Sequence, residues 1–73
     1  MTPTEKRIAA SLREAISNPN ETFQTLAIQL DDTLTTFLQR LAGVGEPFTV
    51  DELWLVCRRI GVRVSEVVRR ADL

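Results

Sequence analysis

The segment TVDELWLVCRRIG, residues 49–61, constrains the fold of this chain more than any other. Thr49 and Glu52 have the spacing of a capping box, in which two side chains satisfy two free backbone N–H groups at a helix N-terminus. Behind the box, apolar residues recur at three- and four-residue steps, which places them along one face of a helix. They are Val50, Leu53, Val56, Cys57 and Ile60. Because Gly61 is of the residue type that most often ends a helix, the segment predicts a short amphipathic helix.

A second capping box predicts a helix at the start of the chain. In the sequence TPTE, Thr2 is the expected N-cap, Pro3 takes the favoured first position and Glu5 completes the box. The apolar stripe that follows stops at the sequence SNPN. Pro19 explains this end, because proline disfavours helical geometry in the residue before it.

Two shorter helices are predicted in the middle of the chain. One covers about residues 22–29, with Thr22 as its N-cap and Asn20 as a competing cap. The other covers residues 33–42 and begins at the cap Thr33. Glycines at positions 43 and 45 end it.

A fifth short helix is expected over residues 64–71, and no segment predicts a β-strand. We therefore expect one all-α domain, residues 1–73, built as a compact bundle of about five short helices. The expected core residues are Leu12, Ile16, Leu26, Leu30, Leu53, Val56 and Ile60. A chain of 73 residues buries only about 60% of its unfolded surface, so self-association is a reasonable expectation.

The residue types present exclude most catalytic chemistry. The chain has no His and no Tyr, and Cys57 is its single thiol. Without an imidazole, its serines have no base to activate them, and His/Cys metal sites cannot be built. We expect a protein that is not an enzyme and that holds no cofactor, no metal and no disulfide, in the reducing cytoplasm. The longest apolar run, LWLVC, is five residues, so no membrane span is expected.

The C-terminal half resembles the Cro/repressor-type (Xre) helix-turn-helix domain family. The similarity lies in EPFTVDELWLVCRRIGVRVSEVV, which has that family's order of proline, capping Ser or Thr, acidic residue, apolar helix, Gly-Val and final short helix. One extra residue, Phe48, separates the proline from the cap. The resemblance implies a lambda-repressor-like bundle in which residues 33–42 form the recognition helix.

The front half, TFQTLAIQLDDTLTTFLQRLAG, is similar through Leu26, the small residue Ala27, Leu30 and the capping Thr33. It departs from the family in three ways. The third helix fits the pattern either through Phe37 or, with a one-residue insertion, through Leu38 and Leu41. Asp31 occupies the turn position that usually holds glycine, and it tolerates left-handed geometry less easily. Phe23 replaces the glutamine that commonly opens the second helix and contacts a backbone phosphate.

The resemblance implies a small sequence-specific DNA-binding transcriptional regulator of the kind encoded by phages or mobile elements, with double-stranded operator DNA as partner. The expected DNA-binding residues are Thr22, Gln24, Thr33, Leu34, Thr35, Thr36, Gln39 and Arg40. Asp32 would turn away from phosphate by capping the recognition helix together with Thr33.

Charge opposes this expectation. The net charge of −1 gives no support for nucleic-acid binding. A protein-interaction module that keeps the helix-turn-helix shape is therefore the alternative, as an antirepressor, an antitoxin or a host-directed inhibitor that binds DNA weakly or not at all.

Trp54 and Leu55 lie off the stripe of Leu53, Val56, Cys57 and Ile60, and one helix cannot bury all six residues in so small a core. We expect Trp54 and Leu55 to form a homodimer interface, since Trp is enriched among buried interface residues. The alternative is that Trp54 covers the edge of the core. Five arginines between Arg58 and Arg70 could contact phosphates, but four of them occupy helix C-termini, where cations are favoured in any case.

Overall fold

The computed structural model describes residues 1–16 and 19–71, and the side chains of residues 1–16 and 23–71. This part of the chain is helical and contains no strand. Five helices follow one another: α1 Pro3–Ala15, α2 Pro19–Gln29, α3 Leu34–Leu41, α4 Val50–Ile60 and α5 Val64–Ala71. The predicted all-α class with about five short helices is confirmed. None of these helices is long and apolar enough to cross a lipid bilayer.

Both predicted capping boxes are formed. The Glu5 N–H donates to Thr2 Oγ1 at 3.1 Å, and the Thr2 N–H donates to Glu5 Oε1 at 2.7 Å. In α4, the Glu52 N–H donates to Thr49 Oγ1 at 3.1 Å, and the Thr49 N–H donates to Glu52 Oε1 at 2.9 Å. Each box satisfies two backbone donors that a helix start leaves free, and so it fixes where α1 and α4 begin.

The start predicted for α2 is wrong. The helix begins at Pro19, three residues before the expected start at Thr22. Proline suits this first position, because its fixed φ is already helical and its missing N–H is one that a helix start leaves unused. Thr22 and Asn20 therefore lie inside α2 rather than at its cap. The predicted effect of Pro19 on residue 18 lies outside the described residues.

Glycines end α3 and α4 as predicted. Gly43 has φ +85°, and the Val44 N–H returns to the Gln39 carbonyl at 2.9 Å. Gly61 has φ +77° and ends α4 in the same left-handed region. A Cβ at Gly43 would lie 3.2 Å from Cγ of Lys6, so glycine also permits α1 to approach the end of α3.

One hydrophobic core joins the helices. Five of the seven predicted core residues are buried: Leu12, Ile16, Leu26, Leu53 and Val56. Leu30 and Ile60 are half-buried and pack against this cluster. Phe37 is fully buried, and its ring makes edge-on contacts with Phe23 and Phe48, at centroid distances of 6.3 and 5.9 Å. Aromatic pairs at these separations add to the stabilisation that burial provides.

The first and last helices pack against each other, and α1 also packs against α3. A buried polar contact accompanies the apolar one: the hydroxyl of Ser11 in α1 donates to the carbonyl of Val67 in α5 at 2.8 Å. In α5, Val67 and Ala71 are buried, while Val68 is half-buried. The hydrogen bond satisfies the Ser11 hydroxyl, which would otherwise destabilise an apolar interface.

Candidate functional site

The turn between α2 and α3 holds the two helices at a fixed angle. The Asp31 N–H donates to the Ile28 carbonyl at 3.1 Å, and the Asp32 N–H donates to the Ala27 carbonyl at 2.9 Å. This pair of bonds is a Schellman motif, which requires a left-handed residue after the helix. Asp31 is that residue, with φ +58°, the one non-glycine with positive φ among the described residues. An aspartate thus occupies a conformation that glycine adopts at lower cost.

The first turn of α3 is built by its threonines. Thr33 is the N-cap, as predicted, and its Oγ1 accepts the Thr36 N–H at 3.1 Å. The Thr33 hydroxyl donates to Thr36 Oγ1 at 2.9 Å. Thr35 is exposed and keeps its hydroxyl and methyl groups at the surface. Capping therefore occupies the hydroxyls of Thr33 and Thr36 and leaves the hydroxyl of Thr35 for an external partner.

The remaining residues of the outward face of α3 are uncharged. Leu34 and Leu38 are 42% and 39% exposed, and Gln39 is exposed beside them. On α2, Gln24 is exposed. Thr22 was the other contact residue expected on α2, and its side chain lies outside the described residues. The structure thus gives Gln24, Thr33, Leu34, Thr35, Thr36 and Gln39 the exposure that a binding role requires.

Arg40 is the one expected DNA-binding residue of α3 that is not exposed, so the prediction that its side chain is exposed to contact DNA is wrong. It is only 7% exposed. Its five N–H donors make five hydrogen bonds: to Asp32, twice to Glu52, and to the carbonyls of Glu46 and Pro47. Arginine has no further donor to offer. The side chain is held inside the protein and is not free to contact a base or a phosphate.

Four parts of the chain meet at this arginine. We call the group the Arg40 cluster; it consists of the side chains of Asp32, Arg40, Phe48 and Glu52 and the carbonyls of residues 46 and 47. Asp32 comes from the turn after α2, and its Oδ2 lies 2.7 Å from Nη1. Phe48 lies under the guanidinium, whose carbon is 4.5 Å from the ring centroid, a cation–π distance. Asp32 was expected to help cap α3. Its charge is met by Arg40 instead, and Thr33 caps the helix alone.

The cluster shifts the protonation of its members. Hydrogen bonds from Arg40 lower the pKa of Glu52 below its usual 4.5, against a smaller opposing effect of burial. The same bonds to Glu52 raise the pKa of Arg40. Both groups are therefore charged at neutral pH. No buried side-chain nitrogen or oxygen in the described residues lacks a hydrogen-bond partner.

Helical spacing could have located Arg40. It follows the buried Phe37 by three residues and precedes the buried Leu41 by one, which places it beside the apolar stripe of α3 rather than opposite it. The identity of its partner is harder to foresee, because Glu52 is twelve residues away on another helix.

The charges around α3 are acidic. From residue 17 to residue 57 the sequence holds six carboxylates and one basic residue, the buried Arg40. A groove beside Thr36 and Gln39 is lined by Asp32 and Glu46 as well as by Val44. Cations do occur at the other end of the helix: Lys6 and Arg13 of α1 share a groove with Leu41 and Ala42.

A second surface lies on α4. Trp54 is 58% exposed, and Leu55 is 37% exposed. The carbon of the Arg58 guanidinium lies 5.7 Å from the centroid of the Trp54 ring. The alternative in which Trp54 covers the edge of the core does not fit this exposure. Cys57, by contrast, is buried, which raises the pKa of its thiol.

Comparison with protein-family models, with curated proteins and with solved structures gives no match to this chain. Among the described residues, no group of three or more His, Cys, Asp or Glu side chains could hold a metal ion.

Proposed function

We propose that the protein is a small DNA-binding regulator that places α3 in the major groove of double-stranded DNA. The observation that carries the proposal is the arrangement of α2 and α3. A short Schellman turn joins them, Phe37 packs α3 into the core, and the opposite face of α3 presents hydroxyl, amide and methyl groups. A helix held in this way and exposed along one face has the shape that major-groove recognition requires.

The exposed groups suggest which base edges are contacted. The methyl groups of Leu34 and Thr35 suit the thymine methyl group, and the amide of Gln39 suits the paired donor and acceptor of adenine. Arg40 is excluded from readout, because its donors are all engaged within the Arg40 cluster. Its role in the proposal is to hold α3 and α4 together, so that the contacting side chains are presented by a rigid element.

The charge distribution determines how such binding depends on salt. Each neutralised phosphate contributes a slope of about −0.9 to the dependence of log affinity on log salt concentration. The outward face of α3 carries no cation, so phosphate contacts must come from other elements, and Lys6 and Arg13 beside the end of α3 are the candidates. We expect few such contacts and a shallow slope.

Selection from a random duplex pool at low and at moderate salt tests the proposal. A regulator of this kind enriches a defined sequence, and the enriched duplex binds more tightly than a scrambled one at both salt concentrations. Contacts to phosphate are strongest at low salt, although repulsion between the acidic groups of the protein and DNA is also least screened there. If the pool shows no enrichment even at low salt, the result contradicts DNA binding.

The burial of Arg40 favours a second candidate function, a protein-interaction module with a helix-turn-helix shape. Leu34, Leu38 and Val44 expose apolar surface, and the carboxylates of Asp31 and Glu46 are exposed in the segments that flank α3. An apolar patch with an acidic rim fits a protein surface that is apolar with a basic rim. An antirepressor, an antitoxin or a host-directed inhibitor would use such a surface. This function replaces the first if the duplex pool gives no enrichment.

A further inference from the structure

The outward face of α4 carries a pattern of residues that is symmetric about its middle. Trp54 and Leu55 form the middle, with 58% and 37% of their surfaces exposed. Asp51 lies three residues before Trp54, and Arg58 lies three residues after Leu55. Seven residues span about two helical turns, so Asp51 and Arg58 lie in line along the helix, with Trp54 on one side of that line and Leu55 on the other.

Neither of the two charges on this face forms an ion pair among the described residues. Asp51 and Arg58 are both exposed. They cannot pair with each other, because about 10 Å of helical rise separates them. A second α4 helix lying in the opposite direction would bring an opposite charge to each of them.

We propose that two copies of this chain associate through their α4 helices, antiparallel, about a two-fold axis that passes between Trp54 and Leu55. Asp51 then faces Arg58 of the partner subunit, and the same pair is repeated at the other end. Trp54 packs against the partner's Trp54, and Leu55 packs against the partner's Leu55. Contacts that are repeated in this way are the defining property of a two-fold interface.

The composition of the face suits such an association. The apolar middle provides the area that is removed from water, and the two ion pairs close it at both ends, as in interfaces with an apolar centre and a charged rim. The guanidinium carbon of Arg58 lies over the Trp54 ring, 5.7 Å from its centroid, so the charged group stands directly beside the apolar middle. Val50, placed by its spacing on the apolar stripe of α4, is 75% exposed, and it borders this surface on the Trp54 side. This association does not depend on DNA binding.

The chain contains a single Trp and no Tyr, so its fluorescence reports on this face alone. We expect sedimentation equilibrium to show a monomer–dimer equilibrium between low and high micromolar concentration. Over the same range the emission of Trp54 should shift to shorter wavelength, because the ring leaves water. A wild-type protein that stays monomeric, with unchanged emission, at high micromolar concentration would overturn the proposal.

Charge reversal separates the antiparallel arrangement from other modes of association. Asp51→Arg and Arg58→Asp each place like charges together at both ends of the interface, and each should weaken dimerisation at least about tenfold. The double variant Asp51→Arg/Arg58→Asp restores both pairs and should dimerise like wild type. Mixing the two single variants should give a one-to-one heterodimer, because each supplies the charge that the other lacks.

Arg7→Glu, a charge reversal at an exposed position of α1, is the matched control and should leave the dimerisation constant unchanged. Circular dichroism shows that each variant is folded before its assembly is measured. The proposal fails if both single variants dimerise as tightly as wild type. It also fails if the folded double variant does not recover and the mixture forms no heterodimer.

Discussion

The guanidinium of Arg40 and the carboxylate of Glu52 lie side by side and share two parallel hydrogen bonds, Nη1 to Oε2 at 2.9 Å and Nη2 to Oε1 at 2.5 Å. Glu52 also accepts the Thr49 N–H that completes the capping box of α4. One carboxylate therefore fixes the start of α4 and ties it to the last turn of α3. Paired hydrogen bonds between arginine and a carboxylate are among the strongest that side chains form.

Replacing Arg40 should destabilise the fold strongly. Arg40→Met keeps the apolar stem but leaves two carboxylates facing each other without a cation. Removing one partner of a buried ion pair costs about 3–5 kcal/mol, and we expect about 3 kcal/mol because water still reaches Asp32 and Glu52. Urea denaturation measures the change. Arg7→Met, at an exposed position, should stay within about 0.5 kcal/mol of wild type. A loss below about 1 kcal/mol for Arg40→Met would contradict the structural role of the cluster.

The same cluster should make stability depend on pH. The folded protein holds the pKa of Glu52 below its ordinary 4.5, so the unfolded chain takes up a proton first as the pH falls. This contribution to stability is present above pH 4.5 and is lost as the pH falls through the lower folded pKa. Glu52→Gln, which can still form the capping box, should lower stability at pH 7 and flatten its decline below pH 4.5.

Glu5→Gln provides the comparison for that measurement. Hydrogen bonding to Thr2 also lowers the pKa of Glu5, but its carboxylate makes no ion pair with Arg40. We expect its denaturation profile to follow wild type more closely than that of Glu52→Gln. Equal profiles for the two variants would show that capping alone, and not the Arg40 pair, causes the pH dependence.

Asp31 offers a position where stability can be gained. A non-glycine residue in left-handed geometry costs about 1–2 kcal/mol, although aspartate tolerates it better than most residues. Asp31→Gly removes that strain and adds freedom to the unfolded chain, so the net gain should be below about 1 kcal/mol. Asp31→Ala should destabilise instead, and Asp31→Asn removes the charge with little change in backbone preference. Thermal unfolding of the three variants tests the order Gly, Asn, Ala.

Base readout by α3 can be tested with one side chain. On the enriched duplex, Gln39→Ala should lose preference at one base pair, worth about 1–3 kcal/mol. Gln29→Ala is the same change at an exposed position of α2 and should bind like the parent. If Gln39→Ala retains full discrimination at every position of the site, then Gln39 does not contact a base.

The sequence predicts well those features that depend on neighbouring residues. The capping boxes at Thr2 and Thr49 and the glycine at 61 each act within a few residues, and the structure has them where they are expected. The start of α2 was misplaced because a threonine cap and a first-position proline are both plausible three residues apart, and only tertiary packing decides between them. The partners of Arg40 were missed for a related reason. Glu52 contacts Arg40 only because α3 and α4 pack together, and no short-range sequence pattern predicts that contact.

The hydrogen bond from Ser11 to Val67 joins residues that are 56 positions apart. It lies where α1 packs against α5, the first and the fifth helix in chain order. During synthesis, α1 cannot bury this face until α5 has also emerged from the ribosome. Contacts between distant parts of a sequence also slow folding, since a long loop must close before they contribute. These five helices should therefore fold as a unit and only after α5 has been made, with α1 exposed to chaperones and proteases until then.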